Sequence, residues 1–68
     1  MTVAELIKQL KNHPGDMRVV ISGYEGGIDD VEKIDPIPIK LNCNEEWYYG
    51  KHDTCKEEEK DETALLIE

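Results

Sequence analysis

Val3, Leu6, Ile7 and Leu10 fall at i, i+3, i+4 and i+7, the one-sided apolar stripe of an amphipathic helix. The first twelve residues therefore read as a helix. Thr2 followed by Glu5 is the spacing of a capping box, and Met1 with Leu6 occupies the hydrophobic-staple positions. His13-Pro14-Gly15-Asp16 ends the helix, because proline lacks an amide proton and disfavours helix in the residue before it. Met17–Ser22 then reads as a strand. Val19, Val20 and Ile21 are contiguous and β-branched, the pattern of a central strand buried on both faces. Residues 23–27, Gly-Tyr-Glu-Gly-Gly, form a loop. Val31–Cys43 is a second extended region in which Ile37, Ile39, Leu41 and Cys43 alternate with polar positions. Ile34 lies on the opposite parity, so the Asp35-Pro36 step reads as a turn or bulge, and the two prolines demote this strand to an edge. Residues 44–61 are irregular. Thr63–Ile67 is apolar on both parities and again reads as central.

These elements specify a single α+β domain over residues 1–68: an N-terminal helix packed on a three- to four-stranded antiparallel sheet, in two layers. One helix covers one face of a sheet. The other face, apolar as well, calls for a second copy of the chain, so a homodimer or higher homo-oligomer is expected. Size reinforces this, since in 68 residues a single core rarely supplies more than about 3–5 kcal/mol.

Charge narrows the partners. There are 16 acidic against 8 basic side chains, a net charge of −8. Residues 1–24 carry Lys8, Lys11 and Arg18 against Glu5 and Asp16, so the acidity belongs to the second half. Duplex nucleic acid is disfavoured, because phosphate binding requires a basic footprint. The longest apolar stretch, Ala64–Ile67, is far short of a membrane span, and no basic segment leads into an apolar one. The expected compartment is the cytoplasm, where Cys43 and Cys55 would be free thiols. The acidic run 57–62 reads as a solvated loop.

The aromatics suggest the chemistry. There is no Phe, and all four aromatic residues are Trp or Tyr lying outside the periodic segments. Tyr24 sits in the glycine loop; Trp47, Tyr48 and Tyr49 are consecutive. Rings beside glycines suit a flat ligand, which they stack on while their polar tips orient it. The bland reading is that Trp47 and its neighbours supply missing core. Arg18, Lys51 and His52, with the amides of Gly26 and Gly27, can contact phosphate oxygens, and Glu25 or Asp29 can accept from a ribose hydroxyl or exocyclic amine. The glycine segment matches neither a dinucleotide fingerprint nor a P-loop, and a plain glycine-rich hairpin loop is the competing reading. Hard-oxygen ligation by Glu25, Asp29 and Asp30, or zinc ligation by His13, Cys43, His52 and Cys55, is disfavoured by spacing, so no metal or other cofactor is expected. No nucleophile elbow is present, Ser22 being the only serine, which argues against an enzyme.

Residues 2–10 (Thr-Val-x-Glu-Leu-Ile-x-x-Leu), Pro14-Gly15-Asp16, Val19-Val20-Ile21, residues 23–30 (Gly-Tyr-Glu-Gly-Gly-Ile-Asp-Asp) and Trp47-Tyr48-Tyr49-Gly50 resemble small phage and prophage proteins. Some of these are anti-defence sponges of the CBASS or Thoeris type, homo-oligomers that sequester cyclic-nucleotide or cyclic ADP-ribose signals without cleaving them in the host cytoplasm. The resemblance implies that class of function only. With the ring and cation chemistry above, it gives the expected activity: sequestration of a small nucleotide-type ligand. The alternative is an acidic interaction module or inhibitor that occupies a basic surface of a host protein, supported by the carboxylates at 45–46 and 57–62.

Overall fold

The computed structural model describes all residues, 1–68. The chain is α+β: one helix, a two-stranded antiparallel sheet and a separate three-stranded antiparallel sheet.

Helix α1 spans Val3–Leu10 and starts at Thr2 as the capping box requires. The Glu5 amide donates to Thr2 Oγ1 at 3.1 Å, and the Thr2 amide donates to Glu5 Oε1 at 3.4 Å. The helix tightens at its end through Asn12 N–H to Gln9 and His13 N–H to Leu10, the i to i+3 bonds that close a last turn before Pro14. Its apolar stripe is largely unpartnered: Val3, Ile7 and Leu10 are exposed and only Leu6 is half-buried.

Strands β1 (Val20–Ser22) and β2 (Ile28–Asp30) form a hairpin with Val20 opposite Asp30 and Ser22 opposite Ile28. The expectation that Met17–Ser22 is a central strand is corrected. β1 has one partner, and Met17, Val19 and Val20 remain exposed. A β-branched run favours extended backbone whether or not a second strand arrives to bury it.

Strands β3 (Ile34–Lys40), β4 (Asp53–Thr54) and β5 (Glu62–Ile67) make the second sheet in the order β4-β3-β5. The expected roles of β3 and β5 are exchanged: the proline-containing strand is central and the apolar C-terminal strand is the edge. Hydrogen-bond parity explains this. The Ile39 carbonyl accepts from Asp61 on the β5 side, whereas the Pro38 carbonyl accepts from Cys55 on the β4 side. Successive residues of an extended chain face opposite neighbours, so Pro36 and Pro38 both turn their nitrogens away from β5. β4 is only two residues long and pairs with Ile39 and Lys40, so neither proline is asked for an amide proton. The Asp35-Pro36 step is no bulge, since β3 pairs continuously with β5 from Ile34–Ile67 to Ile39–Glu62. Leu41 and Cys43, expected on the buried face of this strand, lie beyond its end and are exposed.

Charged groups close the ends of this sheet. Lys33 and Glu68 exchange backbone hydrogen bonds of 2.7 and 3.0 Å, and their side chains pair at 3.3 Å. Asp61 accepts from the Leu41 amide at 2.8 Å and faces Lys40 at 3.8 Å. Lys60 bonds Glu57 and, at 3.0 Å, Thr63 Oγ1. The acidic run is thus partly knitted into the sheet, with Glu57–Glu59 forming a single 3-10 turn.

Ile39 is the one buried residue, at 9% exposure. It lies on the face of the sheet that also carries Ile37, Ala64 and Leu66, which together line a shallow apolar depression of about 300 Å³.

Candidate functional site

The ten residues singled out from the sequence fall into two groups. Arg18, Tyr24, Glu25, Gly26 and Gly27 belong to the β1–β2 hairpin and its approach. Trp47, Tyr48, Tyr49, Lys51 and His52 belong to the connection between β3 and β4. No hydrogen bond, ion pair or ring contact joins the groups.

The hairpin loop is accounted for by its own geometry. The Gly23 amide donates to the Gly27 carbonyl at 2.8 Å. A Cβ at Gly23 would lie 2.8 Å from Asp29 Oδ2, which a shift of that exposed carboxylate relieves, and 3.2 Å from the Gly27 carbonyl, a tight backbone approach. Gly26 has φ +86, and Glu25 beside it is left-handed at φ 50. Gly26 is thereby favoured by the turn itself, and Gly23 by the close approach of the Gly27 carbonyl. Arg18 is held by Asp30 at 2.8 Å across the hairpin, which leaves its guanidinium committed to a carboxylate. Tyr24 projects from the tip at 88% exposure and meets no other ring.

The second loop has more structure. Asn42 leaves β3 in the left-handed region at φ 51, a conformation asparagine tolerates well. Its amide donates to His52 Nδ1 at 2.9 Å. That ring nitrogen is an acceptor, so the imidazole has only Nε2 left to offer a ligand. Asn44 then clamps the neck of the loop. Its side-chain amide donates to the carbonyls of Gly50 at 2.9 Å and His52 at 3.3 Å, while its backbone amide donates to Lys51 at 3.2 Å. Between these fixed points a turn from Glu46 to Tyr49 lifts three rings into solvent. Trp47 is 92% exposed, and Tyr48 and Tyr49 are each 62% exposed. Trp47 and Tyr48 meet edge to face with centroids 5.7 Å apart, and Tyr48 and Tyr49 tilt together at 5.0 Å. Lys51, next to the rings, enters no ion pair. The rings supply no core, which corrects the reading of Trp47 as spare packing.

Asn44 was missed from the sequence. The available signal was an asparagine at the start of an aromatic segment that ends in glycine, since Asn side chains bond readily to nearby backbone and so organise loops.

Neither candidate metal set is assembled, because no three His, Cys, Asp or Glu side chains converge as ligands. Both cysteines are free. Cys55 is half-buried. Partial burial pushes its thiol pKa up, helped by the carboxylates of Glu59, Asp61 and Glu57 and opposed by Lys40. A raised pKa means less thiolate at neutral pH. Iodoacetamide is therefore expected to modify exposed Cys43 before Cys55, with the Cys55 rate rising as pH is raised. Peptide mapping over a pH series checks this, and equal rates at pH 7 would refute it.

No helix is long and apolar enough to cross a membrane. Comparison with protein-family models, curated proteins and solved structures finds no match.

Proposed function

We propose that this chain is a non-enzymatic binding module whose contact element is the aromatic loop, and that it docks on a protein surface that is basic around an apolar recess. The observation that carries this reading is Trp47, a large ring held almost wholly in solvent on a loop whose neck Asn44 clamps. Exposing a Trp forgoes its burial, and Trp and Tyr are the residues that most often anchor protein interfaces. The surrounding charge agrees. Glu45 and Glu46 precede the rings, and the chain carries a net charge of −8, which steers it toward cationic surfaces and away from anions.

A second reading, sequestration of a nucleotide-type ligand, is favoured by one observation: the rings are open for stacking beside the unpaired Lys51. In that reading the site reduces to Trp47, Tyr48, Tyr49, Lys51 and the Nε2 edge of His52. Arg18, Tyr24, Glu25, Gly26 and Gly27 have no part in it.

The readings separate on two measurements. A protein captured from cell extract by the wild type and lost with Trp47→Ala, together with Trp47 fluorescence indifferent to cyclic dinucleotides and ADP-ribose derivatives, is the expected result. A nucleotide-dependent change in Trp47 emission, with no protein captured, would reverse the order of the two readings.

A further inference from the structure

We infer that β5 is the pairing edge through which two copies of this chain join, antiparallel, into one six-stranded sheet. The reciprocal bonds between Lys33 and Glu68 fix the parity of β5. Glu68, Leu66 and Ala64 face β3. Thr63, Leu65 and Ile67 turn their amides and carbonyls outward, where no strand lies.

Open edges ordinarily carry charges, prolines or bulges, or are very short. The opposite edge of this sheet follows that rule, being a two-residue strand that contains Asp53. β5 does not. Thr63–Ile67 has neither charge nor proline. Beside it runs a groove of about 400 Å³ lined by Met1, Val3 and Leu6 of the helical segment and by Thr63, Leu65 and Ile67 of β5. A strand entering that groove would complete the ladder and cover Met1, Val3 and Leu6 at the start of the helix.

Area together with the self-complementarity of the edge points to a second copy as the occupant. The chain exposes 6225 Å². A folded monomer of its mass exposes about 4,400 Å². The excess, roughly 1,800 Å², is more than twice what one partner contributes to a standard interface, about 800 Å². The radius of gyration points the same way, at 14.2 Å against about 11 Å for a compact domain of this length. A deficit on that scale belongs to a permanent partner, and antiparallel pairing of identical strands is self-complementary about a two-fold axis. With Leu65 on the axis, Thr63 of one copy meets Ile67 of the other. Glu62 then meets Glu68, whose side chain pairs with Lys33 at 3.3 Å.

The test is sedimentation equilibrium of the full chain at micromolar concentration, with amide hydrogen exchange read by NMR. The expected result is twice the chain mass, with the outward amides of Thr63, Leu65 and Ile67 protected as well as those of Ala64 and Leu66. A monomer, or a dimer in which the outward amides exchange freely, overturns the inference. Leu65→Pro removes an amide that β3 does not use, and Leu65→Lys puts a charge on the edge. Either is expected to give a monomer, and a Leu65→Lys dimer would count against the edge. If neither variant folds, exchange in the wild type decides the matter alone. Trp47→Ala is expected to leave the mass at twice the chain, so failure of this inference and failure of the aromatic-loop reading are distinguishable.

Discussion

Trp47→Ala abolishes most binding and leaves the fold standing: that is the expected result. The ring is 92% exposed, so its removal returns almost no apolar area to water. Its one internal contact is edge-to-face with Tyr48, an arrangement worth about 0.5–1.5 kcal/mol at most. A buried Trp would instead cost about 3–5 kcal/mol and unfold so small a chain. On the binding side, an interface Trp truncated to alanine costs about 2 kcal/mol or more, a loss of roughly thirtyfold in affinity. Circular dichroism melts and partner titration measure the two halves of this forecast separately. Tyr24→Ala is the control. Its ring is equally exposed but sits on the other hairpin, so binding should not change. Loss of binding with Tyr24→Ala would restore the single composite site that the sequence suggested.

Ile39→Ala has the largest expected effect on stability. Ile39 is the chain's one buried side chain and stands on the central strand, paired to both neighbours. Truncating a buried Ile costs about 2–5 kcal/mol. That matches the whole of the roughly 3–5 kcal/mol that a core of this size supplies. The variant is therefore expected to be largely unfolded at 25 °C, with collapsed amide dispersion in its NMR spectrum. Ile39→Val, at about 0.5–1.5 kcal/mol, should remain folded. A folded Ile39→Ala with an unchanged melting temperature would mean that the stabilising contacts lie elsewhere.

The parts readable in the sequence are the parts decided locally. Thr2 and Glu5 lie within one turn of each other, and the cap forms as their spacing requires. The glycine segment forms the loop of the β1–β2 hairpin, with Gly26 at a positive φ. What remained hidden depends on partners distant along the chain. Apolar parity located β3 and β5 but not their order, since nothing in Pro36 or Pro38 says which neighbour the missing proton would face. Strand β2, Ile-Asp-Asp, has no apolar pattern and exists because the turn before it folds back on β1. Arg18 looked free for an anion until Asp30, twelve residues away, claimed it. His52, read as a phosphate contact, has its Nδ1 engaged by the Asn42 amide from ten residues away.

The division between the hairpin and the three-stranded sheet reaches beyond architecture. No hydrogen bond or ion pair crosses from residues 1–30 to the rest of the chain. Cooperativity in unfolding comes from shared contacts, and segments that share few of them open as separate units. Residues 1–30, which hold no buried side chain, are therefore expected to open at a lower free energy than the sheet built around Ile39. The aromatic loop springs from the sheet half alone, between β3 and β4. Residues 1–30 can fray on that scale while the Asn44 clamp at the neck of the aromatic loop stays formed.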